Sequence, residues 1–281
     1  MDGYFTQRDD AQLWPGERFS LAVRRVLCEE TSPYQTLVIF ESASHGRVLA
    51  LDGIIQCTER DEAQYHEMLV LPALCSHAAA PKHVLIVGGG DGGAARECLR
   101  AGVQSVTLVD IDEAVVRSCR AHLRSTAAAL DDARVAVHIA DGAVFVAETT
   151  RTFDVIVVDS SDPCSGPNCG LFSENFYDAC KRALAPGGIL VFQAEYHLLH
   201  LGLVADLLRK CRPLFAHVDY YCAAVPTYPG GGIGFLACSQ SADVKRPVRD
   251  APAGCKCYSK EMHVAAFVLP AQSRNALDAV E

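Results

Sequence analysis

No apolar run in this 281-residue chain approaches the roughly 20 residues that a membrane-crossing helix needs; residues 68–75 fall far short. Positive charge is scarce: 25 Lys and Arg stand against 34 Asp and Glu, a net charge of −9. That balance disfavours nucleic acid as a partner and mildly favours a small cationic ligand. Paired cysteine spacing is also missing. Of 13 cysteines, Cys164/Cys169 and Cys255/Cys257 are close, but neither has the matching second pair of a zinc site. The rest are scattered singly through apolar segments, which fits reduced thiols and sets the expectation of no metal. The first ten residues lack the basic start and apolar stretch of a signal peptide, so the expected location is the cytoplasm. There is no internal repeat and no low-complexity tract.

What is present changes rhythm near residue 60. Residues 19–27, 35–41 and 47–51 are rich in Val, Ile, Leu and Phe and are separated by turn signals such as His45-Gly46 and Asp52-Gly53. They predict a small β domain over residues 1–60. Residues 61–77 carry apolar positions at helical intervals, with Pro72 near a bend. From His83 strands and helices alternate: strands at 83–87, 105–109, 134–139, 153–158 and 188–193, with helices at 94–101, 113–124, 143–149, 174–184 and 198–208. Two closing strands, 217–225 and 233–238, flank a turn at 226–232. Such alternation predicts an α/β domain over 61–281, built on a doubly wound parallel sheet.

Ligands of such sheets bind beyond the carboxyl ends of the strands. Here each end brings an acid: Asp91 in the run Gly88-Gly89-Gly90-Asp91-Gly92-Gly93, then Asp110, Asp141, Asp159 with Asp162, and Glu195. A lone Asp there is often a helix cap, and Asp141 before Gly142 has that reading too. Crowded carboxylates repel unless a cation lies among them. Gly88, Gly90 and Gly93 fit G-x-G-x-x-G, with Asp110 about 20 residues on for ribose hydroxyls. That pattern serves both dinucleotides and adenosyl sulfonium compounds. Asp91 separates them: at ~4 Å and an effective dielectric near 20 it would repel a pyrophosphate by roughly 4 kcal/mol, whereas a cationic group would gain. With Asp159 beside it, the preferred ligand is a sulfonium bearing an amine and no carboxylate.

Nearly the whole chain resembles the spermidine synthases. The matching stretches are Trp14-Pro15-Gly16, the run from Leu51-Asp52-Gly53 to Arg60-Asp61-Glu62, Tyr65-His66-Glu67-Met68, the glycine loop, Asp110-Ile111-Asp112, Asp141-Gly142, Asp159-Ser160-Ser161-Asp162-Pro163, Gln193-Ala194-Glu195 and Pro226-Thr227-Tyr228-Pro229. The resemblance implies an N-terminal β-sheet domain before a Rossmann-like, methyltransferase-like domain, usually as a homodimer. It implies Gln35, Gln56, Asp91, Asp110, Asp141 and Gly142 as donor-binding residues, and Asp162, Gln193, Glu195 and Tyr228 along the acceptor slot. Tyr65 would sit beside the attacking nitrogen. Two departures lie on the acceptor side. The Trp that commonly follows Gln-x-Glu is absent, Tyr196-His197-Leu198-Leu199 standing there instead, and the loop after Asp162 is about one residue longer than the family pattern.

The implied reaction moves an aminopropyl group from decarboxylated S-adenosylmethionine, a co-substrate, to putrescine, with no other cofactor. Asp159 is the expected base. Plainer readings stand beside these: Tyr65 as a core residue, Tyr228 as a turn residue, Gln35 paired with backbone. His66, His77 and His197 read as structural. The rival functions are a putrescine N-methyltransferase using S-adenosylmethionine, a catalytically silent regulatory paralogue and, more remotely, a dehydrogenase.

Overall fold

Residues 37–40 show how two layers of packing arise from one strand. Leu37 and Ile39 face the main core while Val38 and Phe40 face a smaller cluster with Phe5 and Leu21, as the two-residue period of a strand requires. The structure is a computed structural model and describes residues 3–7, 14–160 and 170–280. Its N-terminal sheet is antiparallel, in the order β1 (Tyr4–Thr6), β2 (Ser20–Thr31), β3 (Thr36–Ser42), β4 (Gly46–Leu51) and β5 (Ile54–Thr58).

Helix α1 (Glu62–Ser76) then runs between this sheet and the next layer, with nearly every residue buried. Pro72 lies inside it without ending it. A proline cannot donate to the carbonyl four residues back, and here the Tyr221 hydroxyl donates to that Met68 carbonyl at 2.9 Å.

The second sheet has the order β11-β12-β10-β9-β6-β7-β8, from β6 (His83–Gly88), β7 (Ser105–Asp110), β8 (Val135–Ile139), β9 (Phe153–Asp159), β10 (Leu184–Gln193), β11 (His217–Ala224) and β12 (Gly232–Ser239). The first five of these strands are parallel, and β12 pairs antiparallel with β10 and β11. The expected α/β doubly wound, Rossmann-like sheet is present, with a reversed hairpin at one edge. Its helices are α2 (Gly93–Arg100), α3 (Glu113–His122), the short α4 (Arg124–Ala127), α5 (Gly142–Glu148), α6 (Glu174–Ala183) and α7 (His197–Cys211). Beyond the expected elements lie β1, β5, α8 (Lys260–Ala266) and α9 (Ala271–Asp278). The buried Glu67 carboxylate on α1 accepts the backbone N–H groups of Lys256, Cys257 and Tyr258, tying the C-terminal segment to the helix.

Strand order reverses between β6 and β9, where Gly88 lies in register with Asp159. That is the crevice in which an open α/β sheet holds its ligand. No described helix is long and apolar enough to cross a membrane, and the described cysteines are free thiols.

Candidate active site: two cavities joined at Tyr65

The glycine loop leaves room for side chains as much as for a ligand. A Cβ on Gly90 would lie 2.6 Å from Asp110 Oδ2, and one on Gly93 would lie 2.1 Å from the His66 ring. Asp110 is fixed by the N–H groups of Gly90 at 2.9 Å and Asp112 at 2.8 Å. Burial pushes its carboxyl up to about 6 even so. Asp91 accepts the Gly93 N–H at 2.7 Å, so the N-terminus of α2 already carries an anion of the chain's own.

Asp91, Asp110, Asp141 and Asp159 line one cavity of about 180 Å³, together with Gln35, Gln56, Tyr65, His66, Gly142 and Tyr228. Gln35 is set by a 2.9 Å hydrogen bond from its amide to Asp112 Oδ2, so it pairs with a side chain and not with strand backbone. Asp141 is exposed and caps α5 through the N–H groups of Ala143 and Val144, so the cap reading holds while the residue also borders the cavity. The Tyr65 hydroxyl donates to Asp159 Oδ1 at 2.7 Å. Burial above all pushes the Asp159 carboxyl up to about 6; Asp91 adds to the rise, while His66 and the Tyr65 hydrogen bond oppose it.

A second, smaller cavity is lined by Trp14, Gln193, Glu195, Tyr196, Leu199 and His200, and by Tyr228, Pro229, Gly232 and Ile233. The two cavities share Ile54, Gln56, Tyr65, Ser160 and Tyr228. Asp61 holds that junction: it accepts the Thr227 N–H and hydroxyl at 3.0 and 2.7 Å, which brings Tyr228 within 5.7 Å of the Tyr65 ring. Tyr228 is a half-buried residue of the turn between β11 and β12 that faces inward, and its hydroxyl donates to the Gln56 carbonyl. Glu195 lies at φ 61°, a strained backbone for a side chain of its size. One of its oxygens meets His200 Nδ1 at 2.9 Å, while Oε1 is buried with no partner among the described residues, as is Ser160 Oγ. Both atoms belong to residues lining the second cavity. Asp162 lies outside the described residues.

His66 does not fit the structural reading. Its Nδ1 meets Glu62 at 2.9 Å and its Nε2 meets Asp91 at 3.3 Å. Arg96 grips both Glu62 oxygens. Burial would raise the Glu62 carboxyl, but His66 and Arg96 hold it down to about 2. Burial likewise disfavours a charged His66, yet Asp91 and Glu62 raise its pKa well above the ordinary value. Asp91 in turn is pushed up by burial and brought down, on balance, by that imidazolium. His66, Asp91 and Asp159 present ligand atoms within 4.8 Å of one another; the proton on His66 opposes a metal there, and the two carboxylates suit an ammonium. Glu62 stands four residues before His66, the spacing that faces side chains on a helix. That signal was readable. His77 and His197 bond to the Ala79 carbonyl and Ser273, away from both cavities.

Residues 62–247 match the family described as the spermine/spermidine synthase domain. The chain belongs to that family. Residues 3–59 match the spermidine synthase tetramerisation domain. Among similar proteins, a spermidine synthase of Dictyostelium discoideum is 44% identical over 96% of this chain and 95% of its own length. One from Schizosaccharomyces pombe is 41% identical over 99% and 94%. A solved spermidine synthase in complex with the transition-state analogue AdoDATO superposes with a TM-score of 0.93 at 33% identity, covering 99% of this chain and 96% of that one. The Thermotoga maritima spermidine synthase superposes with a TM-score of 0.90 at 33% identity, over 98% and 94%.

Proposed function

We propose that the chain is a spermidine synthase, transferring an aminopropyl group from decarboxylated S-adenosylmethionine to putrescine. The observation that carries this is the junction: Tyr65, buried and shared by both cavities, donates a hydrogen bond to Asp159 in the wall of the larger one. The donor lies in the larger cavity. Asp141 and Gly142 border its adenine, Asp110 accepts from the ribose hydroxyls with Gln35 beside it, and Gln56 borders the sulfonium. Asp91 and Asp159 take the amine of the aminopropyl arm.

The diamine enters through the smaller cavity, between Trp14, Gln193 and Tyr228. Glu195 Oε1 and Asp162 hold its remote ammonium, which orients the reacting end. A sulfonium leaves readily; the difficulty is that an ammonium has no lone pair. Asp159 takes the proton, with Tyr65 placing the nitrogen. The freed lone pair then forms the N–C bond as the C–S electrons pass to sulfur, releasing methylthioadenosine. The residues present require no metal or redox group for these steps.

Separate sheets on either side of residue 60 support units at 1–60 and 61–281. The match to a tetramerisation domain supports a homo-oligomer, with a homodimer as the smallest form; light scattering distinguishes dimer from tetramer. A cytoplasmic location agrees with the free thiols.

Mass spectrometry of products tests the reaction. Purified protein offered both sulfonium donors with putrescine should yield spermidine and methylthioadenosine. Methylated diamine with adenosylhomocysteine would identify a methyltransferase, and no turnover would identify a silent paralogue.

A further inference from the structure

Tyr196-His197-Leu198-Leu199 follows Gln193-Ala194-Glu195 where the family pattern carries a Trp, and part of that segment lines the smaller cavity. Tyr196, Leu199, Pro229 and Gly232 line the smaller cavity and none of them lines the donor cavity. The residues common to both cavities mark the reacting end, and these four belong to the smaller cavity alone. Tyr196 stands before α7 and its ring lies against the glycine turn between β11 and β12. A Cβ on Gly232 would fall 2.8 Å from two ring carbons of Tyr196, and one on Gly230 would fall 2.9 Å from Leu199 and 3.3 Å from the Tyr196 ring. The turn therefore has no side chain to yield, and the ring has backbone behind it. Leu198, in the same segment, is 59% exposed and takes no part in the cavity.

We infer that Tyr196 is a specificity-determining residue whose ring forms the far wall of the acceptor slot and limits the acceptor to a short diamine. This rests on the reading of the smaller cavity as the acceptor slot. A diamine one methylene longer must press its remote ammonium past Glu195 toward the ring. A wall backed by glycine backbone cannot retreat, so the longer chain either buckles or withdraws its reacting nitrogen from Asp159. Removing the ring opens the slot; keeping the ring but losing the hydroxyl leaves the wall in place.

The test compares kcat/KM for 1,3-diaminopropane, putrescine and cadaverine in wild type, Tyr196→Ala, Tyr196→Phe and Gly232→Ala. One methylene in an apolar slot is worth about tenfold or more. Tyr196→Ala should raise the cadaverine-to-putrescine ratio by about that factor, and Tyr196→Phe should keep the wild-type ratio. Gly232→Ala, whose new methyl group pushes the ring inward, should lower putrescine relative to 1,3-diaminopropane. Circular dichroism confirms that each variant is folded, and ratios within one variant are insensitive to partial loss of active protein. Equal ratios in wild type and Tyr196→Ala would overturn the inference while leaving the aminopropyl transfer intact. Absence of turnover by wild type with all three amines would instead reject the function on which it rests.

Discussion

Asp159 is half-buried beside the glycine loop, a second carboxylate and a charged imidazole, and loss of solvent pushes its carboxyl up to about 6. As a base it works only when ionised. Activity should therefore fall as pH drops through about 6, as Asp159 takes up its proton; a kcat/KM profile of the free enzyme checks this. The linkage to stability runs the opposite way. A carboxyl whose folded pKa is raised contributes stability that is full below its unfolded pKa and lost as pH rises through about 6. Asp110 shares this property, so the empty site is held at some cost at neutral pH, and a cationic donor should stabilise the protein against heat. His66 adds a prediction of its own. Its imidazolium occupies the position of a positive group between Asp91 and Glu62, so an arriving amine competes with that charge. His66→Gln should change the donor KM and its pH dependence more than kcat, as separate kinetic fits will show. The carboxylates were legible in the sequence because each ends a strand. The charge state of His66 was not, because Asp91 and the Arg96 that clamps Glu62 come from a later loop and helix.

At the scale of elements, α1 organises the site. One face carries Tyr65 to Asp159, the preceding turn carries Glu62 to Arg96, and Glu67 receives the backbone of residues 256–258. Arg96→Ala leaves the buried Glu62 with His66 as its remaining partner and should cost about 1.5–3 kcal/mol in denaturant unfolding. Tyr221→Phe removes the hydroxyl that satisfies Met68 opposite Pro72. It should cost about 1–2 kcal/mol while leaving diamine specificity unchanged. The helix, Pro72 included, was legible from its apolar spacing; the hydroxyl that compensates the proline was not, because it lies on β11. Other differences have similar causes. β1 is three residues long and has no pattern of its own. β5 lies in the segment 54–58, whose residues read as a motif before they read as a strand. β10 starts at Leu184, directly after α6, and pairs with Phe153 before its register shifts to Ile189, so the sequence suggests only the regular part from Gly188.

The whole molecule sets two layers against each other. The N-terminal domain supplies Gln35, Ile54 and Gln56, and the strand ends and following loops of the Rossmann-like sheet supply the acids. The α/β alternation, and with it the crevice at the reversal of strand order, could be read from apolar periodicity alone. The division into two cavities could not, since Trp14, Tyr65 and Tyr228 come together from three distant parts of the chain. The proposed reaction depends on removal of the proton by Asp159, the hydrogen-bond partner of the tyrosine that both cavities share. Single-turnover formation of methylthioadenosine by Asp159→Asn, alongside calorimetric binding of the decarboxylated donor, tests it most directly. The variant should still bind the donor and form product about 10²–10⁴-fold more slowly than wild type. Product formation at the wild-type rate would contradict the claim.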